Sequence, residues 1–156
     1  MKKIISLFLS TIVLLGCNKS QQVKKYHIHE EGRVGGFKIT VNSVSNETRI
    51  GNETFYIETE QNYVVINFDI YNTRDSDGYM SEGTIHYYYN GVQYSLSNAG
   101  AYIFDHDSFT FIKNVPSKTE MNLSVVFEIP EQYNENDYLR VRETAHSDEY
   151  AIFYMS

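Results

Sequence analysis

The chain has 156 residues with 13 Lys and Arg against 20 Asp and Glu, a formal net charge of −7, and that sign argues against a nucleic-acid partner. A single cysteine, Cys17, excludes an internal disulfide. Fourteen Tyr, nine Phe, abundant Val, Ile and Thr, no Trp and few Ala favour strand over helix after residue 17.

In chain order, Lys2 and Lys3 give a positive start, and Ile4 to Leu15 form an apolar run of 12 residues interrupted only by Ser6, Ser10 and Thr11. This is the outline of a secretory signal peptide, shorter than the ~20 apolar residues a membrane-spanning helix needs. The run ends in Leu14-Leu15-Gly16-Cys17, which resembles the lipobox of bacterial lipoproteins, with Leu15 where that family more often has a small residue. The resemblance implies a cleaved signal peptide over residues 1–16 and a lipid, palmitate among its chains, on Cys17. Two or more acyl chains hold a protein on a membrane where one does not. Residues 17–25 then read as the lipidated cysteine and a polar tether, whose three lysines can lie against anionic headgroups. The expected location is the cell membrane or outer membrane, facing away from the cytoplasm.

Residues 26–156 are the size of one domain with a core of its own. Phe37, Ile39 and Val41 alternate with Lys38, Thr40 and Asn42, which predicts a half-buried strand. Val64, Ile66, Phe68 and Ile70 form the best core face of the chain, with Tyr63, Val65, Asn67, Asp69 and Tyr71 on the opposite face. Thr84 to Tyr89 and Val92 to Leu96 flank Asn90-Gly91, the strongest short-range hairpin signal because both turn positions take positive φ. Within that hairpin, burying Tyr87 and Tyr89 leaves Tyr88 and His86 outside, or the reverse. Short strands are predicted at Ala101 to Phe104 and Phe109 to Lys113. Leu123, Val125, Phe127 and Ile129 alternate up to Pro130, which cannot donate to a ladder. Tyr138 to Thr144 and Glu149 to Met155 close the chain as a last hairpin. Seven to nine short strands with turns every 8 to 12 residues predict an all-β, antiparallel two-sheet β-sandwich, with a closed barrel as the rival.

Three stretches carry a second resemblance. They are Val34-Gly35-Gly36-Phe37 leading into a strand, Tyr63 to Asn72 as an apolar strand ending in Asn, and Val125 to Pro130 as a late strand running into Pro. Together they resemble the DUF4352 group of small secreted or lipid-anchored bacterial domains, also described as telokin-like or immunoprotective extracellular proteins. The resemblance implies an immunoglobulin-like sandwich and no catalytic residue.

Candidate chemistry is sparse. His27, His29 and Glu31 share one side of an extended segment and are the residue types zinc takes. A polar outer strand face explains them as well. Asp105-His106-Asp107 reads as a turn, and Asn72 to Gly78 lacks the Gly and Glu spacing of an EF-hand loop. No nucleophile elbow, His-Glu-x-x-His or phosphate-cradling loop is present. The expectation is therefore no enzyme, no metal and no cofactor. Tyrosine gives contact area at low entropy cost, so the candidate interaction face comprises Tyr63, Tyr71 and Tyr88. The first functional expectation is a cell-envelope lipoprotein acting as a non-catalytic protein-binding module. The alternatives are an inhibitor or immunity lipoprotein directed at a toxin, phage factor or envelope hydrolase, and a metal-dependent enzyme.

Overall fold

Short runs that alternate apolar and polar side chains give strands with one face each to bury, and two sheets of such strands cover one another. The computed structural model describes residues 23–104 and 107–156. It contains β1 (Lys24–His27), β2 (Glu31–Val34), β3 (Phe37–Gly51), β4 (Tyr56–Asn72), β5 (Gly78–Ser81), β6 (Ile85–Tyr89) and β7 (Val92–Tyr94). After a 3-10 turn at Asn98–Tyr102 come β8 (Asp107–Ser108), β9 (Ile112–Val115), β10 (Glu120–Ile129), β11 (Tyr138–Arg142) and β12 (Tyr150–Tyr154). No α-helix occurs among the described residues.

One sheet runs β2-β3-β4-β10-β8, the other β1-β12-β11-β6-β7, and β5 and β9 form a separate two-stranded ladder. The order β3-β4-β10-β8 opposite β12-β11-β6-β7 follows the immunoglobulin order A-B-E-D opposite G-F-C-C′, except that β8 runs parallel to β10 where D and E are antiparallel. The expected core face of β4 is fully buried. It packs with Leu123, Val125 and Phe127 of its own sheet and meets Tyr87, Leu139 and Phe153 from the other. Tyr87 stacks on Phe127 across the two sheets, ring centroids 5.5 Å apart.

Five expectations change. The sheets are mixed rather than antiparallel, because β1 runs parallel to β12 and β8 parallel to β10; neither strand is tied to its neighbour by a hairpin, so no turn dictates the direction. Among the described residues there are twelve strands rather than seven to nine, the extra ones being short edge or ladder pieces. Ala101 to Phe104 is the end of the 3-10 turn and the loop after it: the Ser97 hydroxyl accepts from the Ala99 N–H, starting a turn where a strand was expected. The ladder strand after it is Ile112–Val115, and Phe109 turns into the core instead. β1 also takes in Lys24 and Lys25, which the sequence reading places at the end of the tether.

Register defines two poles. Lys24 lies opposite Ala151, the Gly35 N–H donates to Glu149, and the Thr73 N–H donates to the Gly36 carbonyl. The start of β1, the Gly35-Gly36 turn, residues 73–77 and residues 143–149 therefore share one pole. The opposite pole carries the Asn90-Gly91 turn, held by Asp137 through the Asn90 N–H at 3.1 Å, and the tip of the β3-β4 hairpin. That hairpin, bulged at Val41/Ser43 and Glu47/Arg49, runs on past the end of β10, which stops opposite Asn62.

Candidate interaction face

The outer face of β4 is not one surface. Tyr63 is only 2% exposed, packed with Ile50, Ala99 and Val126 under Tyr102 and Ile103. The 3-10 turn and the loop after it lie across this part of the sheet, and the small Ala99 and Gly100 let them press against it. Tyr63 is thus removed from the candidate interaction face. Its phenol is pushed above the ordinary tyrosine range, by burial first and by the Glu128 charge second.

Tyr71 stays half-buried at the other end of the same row, beside Lys38 and Glu120. Between the two ends lies an amide floor, in which Asn67 Nδ2 donates to Asn122 Oδ1 at 2.8 Å and Asn122 Nδ2 to Asp69 Oδ1 at 2.7 Å. A cleft of about 430 Å³ opens between this floor, the bulged part of β3 and Phe104.

Tyr88 leads elsewhere. Register places His27, Tyr154, Tyr138, Tyr88 and Gln93 in one row across all five strands of the β1-β12-β11-β6-β7 sheet. At ~4.8 Å between strands the row is roughly 19 Å long. Tyr88 and Tyr138 stack with centroids 4.8 Å apart and planes 9° apart. Tyr138 meets Tyr154 edge-on at 5.8 Å, and the His27 ring lies 5.7 Å from Tyr154. Arg140 sits one row along, its guanidinium 4.6 Å from the centre of the Tyr88 ring. Gln93 Oε1 accepts from both the Tyr88 hydroxyl at 2.7 Å and Arg140 at 2.8 Å, so rings, amide and guanidinium form one braced surface. The rings are half-buried and lean on one another, which shows edges and hydroxyls outward. Burial is the main reason that the Tyr138 phenol lies above its ordinary range. Beside this row His86 is buried, its Nδ1 without a partner among the described residues.

Of the predicted tyrosines, therefore, only Tyr88 joins a cluster. Tyr138, Tyr154 and Arg140 were missed, although alternation with Leu139 and Phe153 puts both tyrosines on the outward side of the last hairpin. Tyr87 and Tyr89 take the inward option, and His86, although on the Tyr88 side, is covered.

The other candidates are not brought together. His27 Nδ1 lies 3.1 Å from the Ser156 carbonyl, His29 sits in a turn at φ 70°, and Glu31 pairs with Lys38 and Arg33. Hydrogen bonding to Lys38 is the main cause that holds the Glu31 carboxyl below its ordinary range. Asp75 pairs with Lys118, and Asp77 accepts from the Ser117 N–H and from Asn114. Asp107 pairs with Lys113. Cys17, Asp105 and His106 lie outside the described residues. No group of three or more His, Cys, Asp or Glu converges as a metal site among the described residues.

Comparison with known proteins agrees with this architecture. The yjhA protein from Bacillus subtilis is similar in structure with a TM-score of 0.59 at 12% identity, over 84% of this chain and 99% of that one. MPT63, a secreted protein from Mycobacterium tuberculosis, is similar with a TM-score of 0.60 at 8% identity, over 86% and 99%. The candidate lipoprotein ycdA from Bacillus subtilis is similar with a TM-score of 0.58 at 11% identity, over 80% of this chain and 37% of that one. No curated protein matches the sequence. At these identities the likeness is one of fold. The model of a domain of unknown function, DUF4352, matches residues 26–151, and the chain belongs to that family.

Proposed function

We propose that this protein is a cell-envelope lipoprotein, anchored through Cys17, whose sandwich is a non-catalytic module that binds another protein. The observation that carries the binding role is the braced row of Tyr88, Tyr138 and Tyr154 with Arg140 on an outer sheet face. Aromatic side chains and Arg are the groups most enriched at protein interfaces, and this surface offers them already held in place, so little side-chain entropy remains to be lost on binding. The stretch Leu14-Leu15-Gly16-Cys17, which resembles a lipobox, and structural neighbours that include a secreted protein and a candidate lipoprotein support a place outside the cytoplasm.

The test uses the full chain. Envelope proteins are captured in parallel with the wild type and with Tyr138→Ala/Arg140→Ala, whose folding is checked by thermal melting. The expected result is a partner retained by the wild type and lost by the folded double variant. A partner retained equally by both would move the binding role off this face.

A further inference from the structure

We infer that the pole of the sandwich carrying Tyr79, Phe111 and Ile112 rests against the bilayer that holds the Cys17 lipid; this rests on the anchor reading above. At this pole the β5-β9 ladder turns Gly78, Met80 and Val115 inward, leaving Tyr79 56% and Ile112 55% exposed, with Phe111 next to them at 63%. The ladder belongs to this pole because Gly78 packs against Phe37 and Arg74, and Gly83, just beyond β5, against Ala145. Three large apolar side chains are thus exposed at the end of the domain where β1 begins; Phe55, Tyr56 and Val92 are exposed at the opposite pole, so apolar exposure alone does not choose between the two.

The length of chain ahead of β1 selects the occupant. Lys24 is the seventh residue after Cys17, and seven steps at ~3.5 Å each reach at most ~25 Å. The 17 residues of β4 run most of the length of the domain, roughly 55 Å at strand rise. A tether that short keeps the start of β1 within ~25 Å of the headgroups and so favours contact by this pole over contact by the hairpin tip. The contact is apolar rather than electrostatic, since Asp77, Glu82 and Asp148 at this pole make no ion pair among the described residues while four further carboxylates are matched by cations. Lys24 pairs with Glu149 at 3.3 Å, Lys118 with Asp75 at 3.1 Å, Lys113 with Asp107 at 3.1 Å, and Arg74 with Glu143, so these four pairs carry no excess of either sign. Tyrosine beside apolar residues also suits the interface between headgroups and acyl chains, where one end of the ring is apolar and the other wet.

The chain contains no Trp, so one introduced Trp reports its own surroundings. Full-length lipidated protein carrying Ile112→Trp is floated with phosphatidylcholine vesicles whose acyl chains are brominated or plain. Val92→Trp, equally exposed beside the Asn90-Gly91 turn at the far pole, is the comparison, and Tyr79→Trp replaces Ile112→Trp should the latter fail to fold. With aromatic groups at interface depth, Ile112→Trp is expected to lose at least about half of its emission to bromine, and Val92→Trp almost none. Equal emission of Ile112→Trp in both vesicle types, in protein that floats, overturns the docking and leaves the anchor standing. Wild-type protein that does not float overturns the anchor, and the docking with it.

Discussion

His86 is enclosed on the outer side of β6, and burial first, then the charges of Arg140 and Arg142, hold its imidazole below the ordinary value of 6.5. The unfolded chain takes up a proton near that pH and the folded chain resists it, so stability is unaffected above about pH 6.5 and falls as the pH drops below it. The loss stops only below the folded-state value, at a slope of at most ~1.4 kcal/mol per pH unit. Melting curves between about pH 7 and pH 5 should therefore fall more steeply for the wild type than for His86→Gln. An identical slope would mean that the imidazole charges without penalty. The tyrosines separate by a different measurement. Tyr63→Ala should cost about 3 kcal/mol of folding free energy, as large buried rings do, whereas Tyr88→Ala should cost about 1 kcal/mol, most of it from the stack on Tyr138. Urea unfolding of the two variants decides it, and equal losses would contradict the different burial of the two rings. Nothing within β4 distinguishes Tyr63 from Tyr71, since alternation gives them the same face. What buries one of them is the turn at Asn98–Tyr102, part of which alternation reads as a strand at Ala101 to Phe104.

At the scale of elements, the Gly35-Gly36 turn explains one of the stretches that resemble the family. Gly35 has φ +52°, and a Cβ on Gly36 would run into the Arg74 side chain. That side chain lies 4.6 Å over the Phe37 ring and pairs with Glu143, so the glycines leave room for a bridge from the β4-β5 connection to the residues after β11. Gly36→Ala should cost about 1 to 3 kcal/mol through overpacking. The cost should shrink in an Arg74→Ala background, and a double-mutant cycle that shows no coupling would disprove the seat. β1 makes a comparable prediction. Its Tyr26 stacks on Phe153 at 5.3 Å, and the strand covers the edge of β12. Removing residues 23–29 should lower the melting temperature and produce association that sedimentation detects, because a bare strand edge pairs with other chains. Strand positions were legible here because alternation is local. The parallel direction of β1 and the row joining Tyr88 to Tyr138 were not, since both depend on register between segments far apart in the chain.

For the whole molecule, the anchor reading predicts that Cys17→Ala abolishes labelling by radioactive palmitate and moves the protein out of the membrane fraction. Label retained on the Ala variant would show a different acceptor. The sandwich class was legible from composition and turn spacing, and the two poles were not, because they arise from how the long β3-β4 hairpin and the β5-β9 ladder extend a common core. One feature of the fold governs how such a protein bears load. β1 and β12 run side by side in the same direction, so the two ends of the folded chain point to opposite poles. Tension between the start of β1 and the end of β12 acts along both strands, and the hydrogen bonds between them are sheared together instead of opening one after another. In a pulling experiment with handles at the two termini, the domain should give way at a higher force than when the handles peel β1 away from β12 sideways.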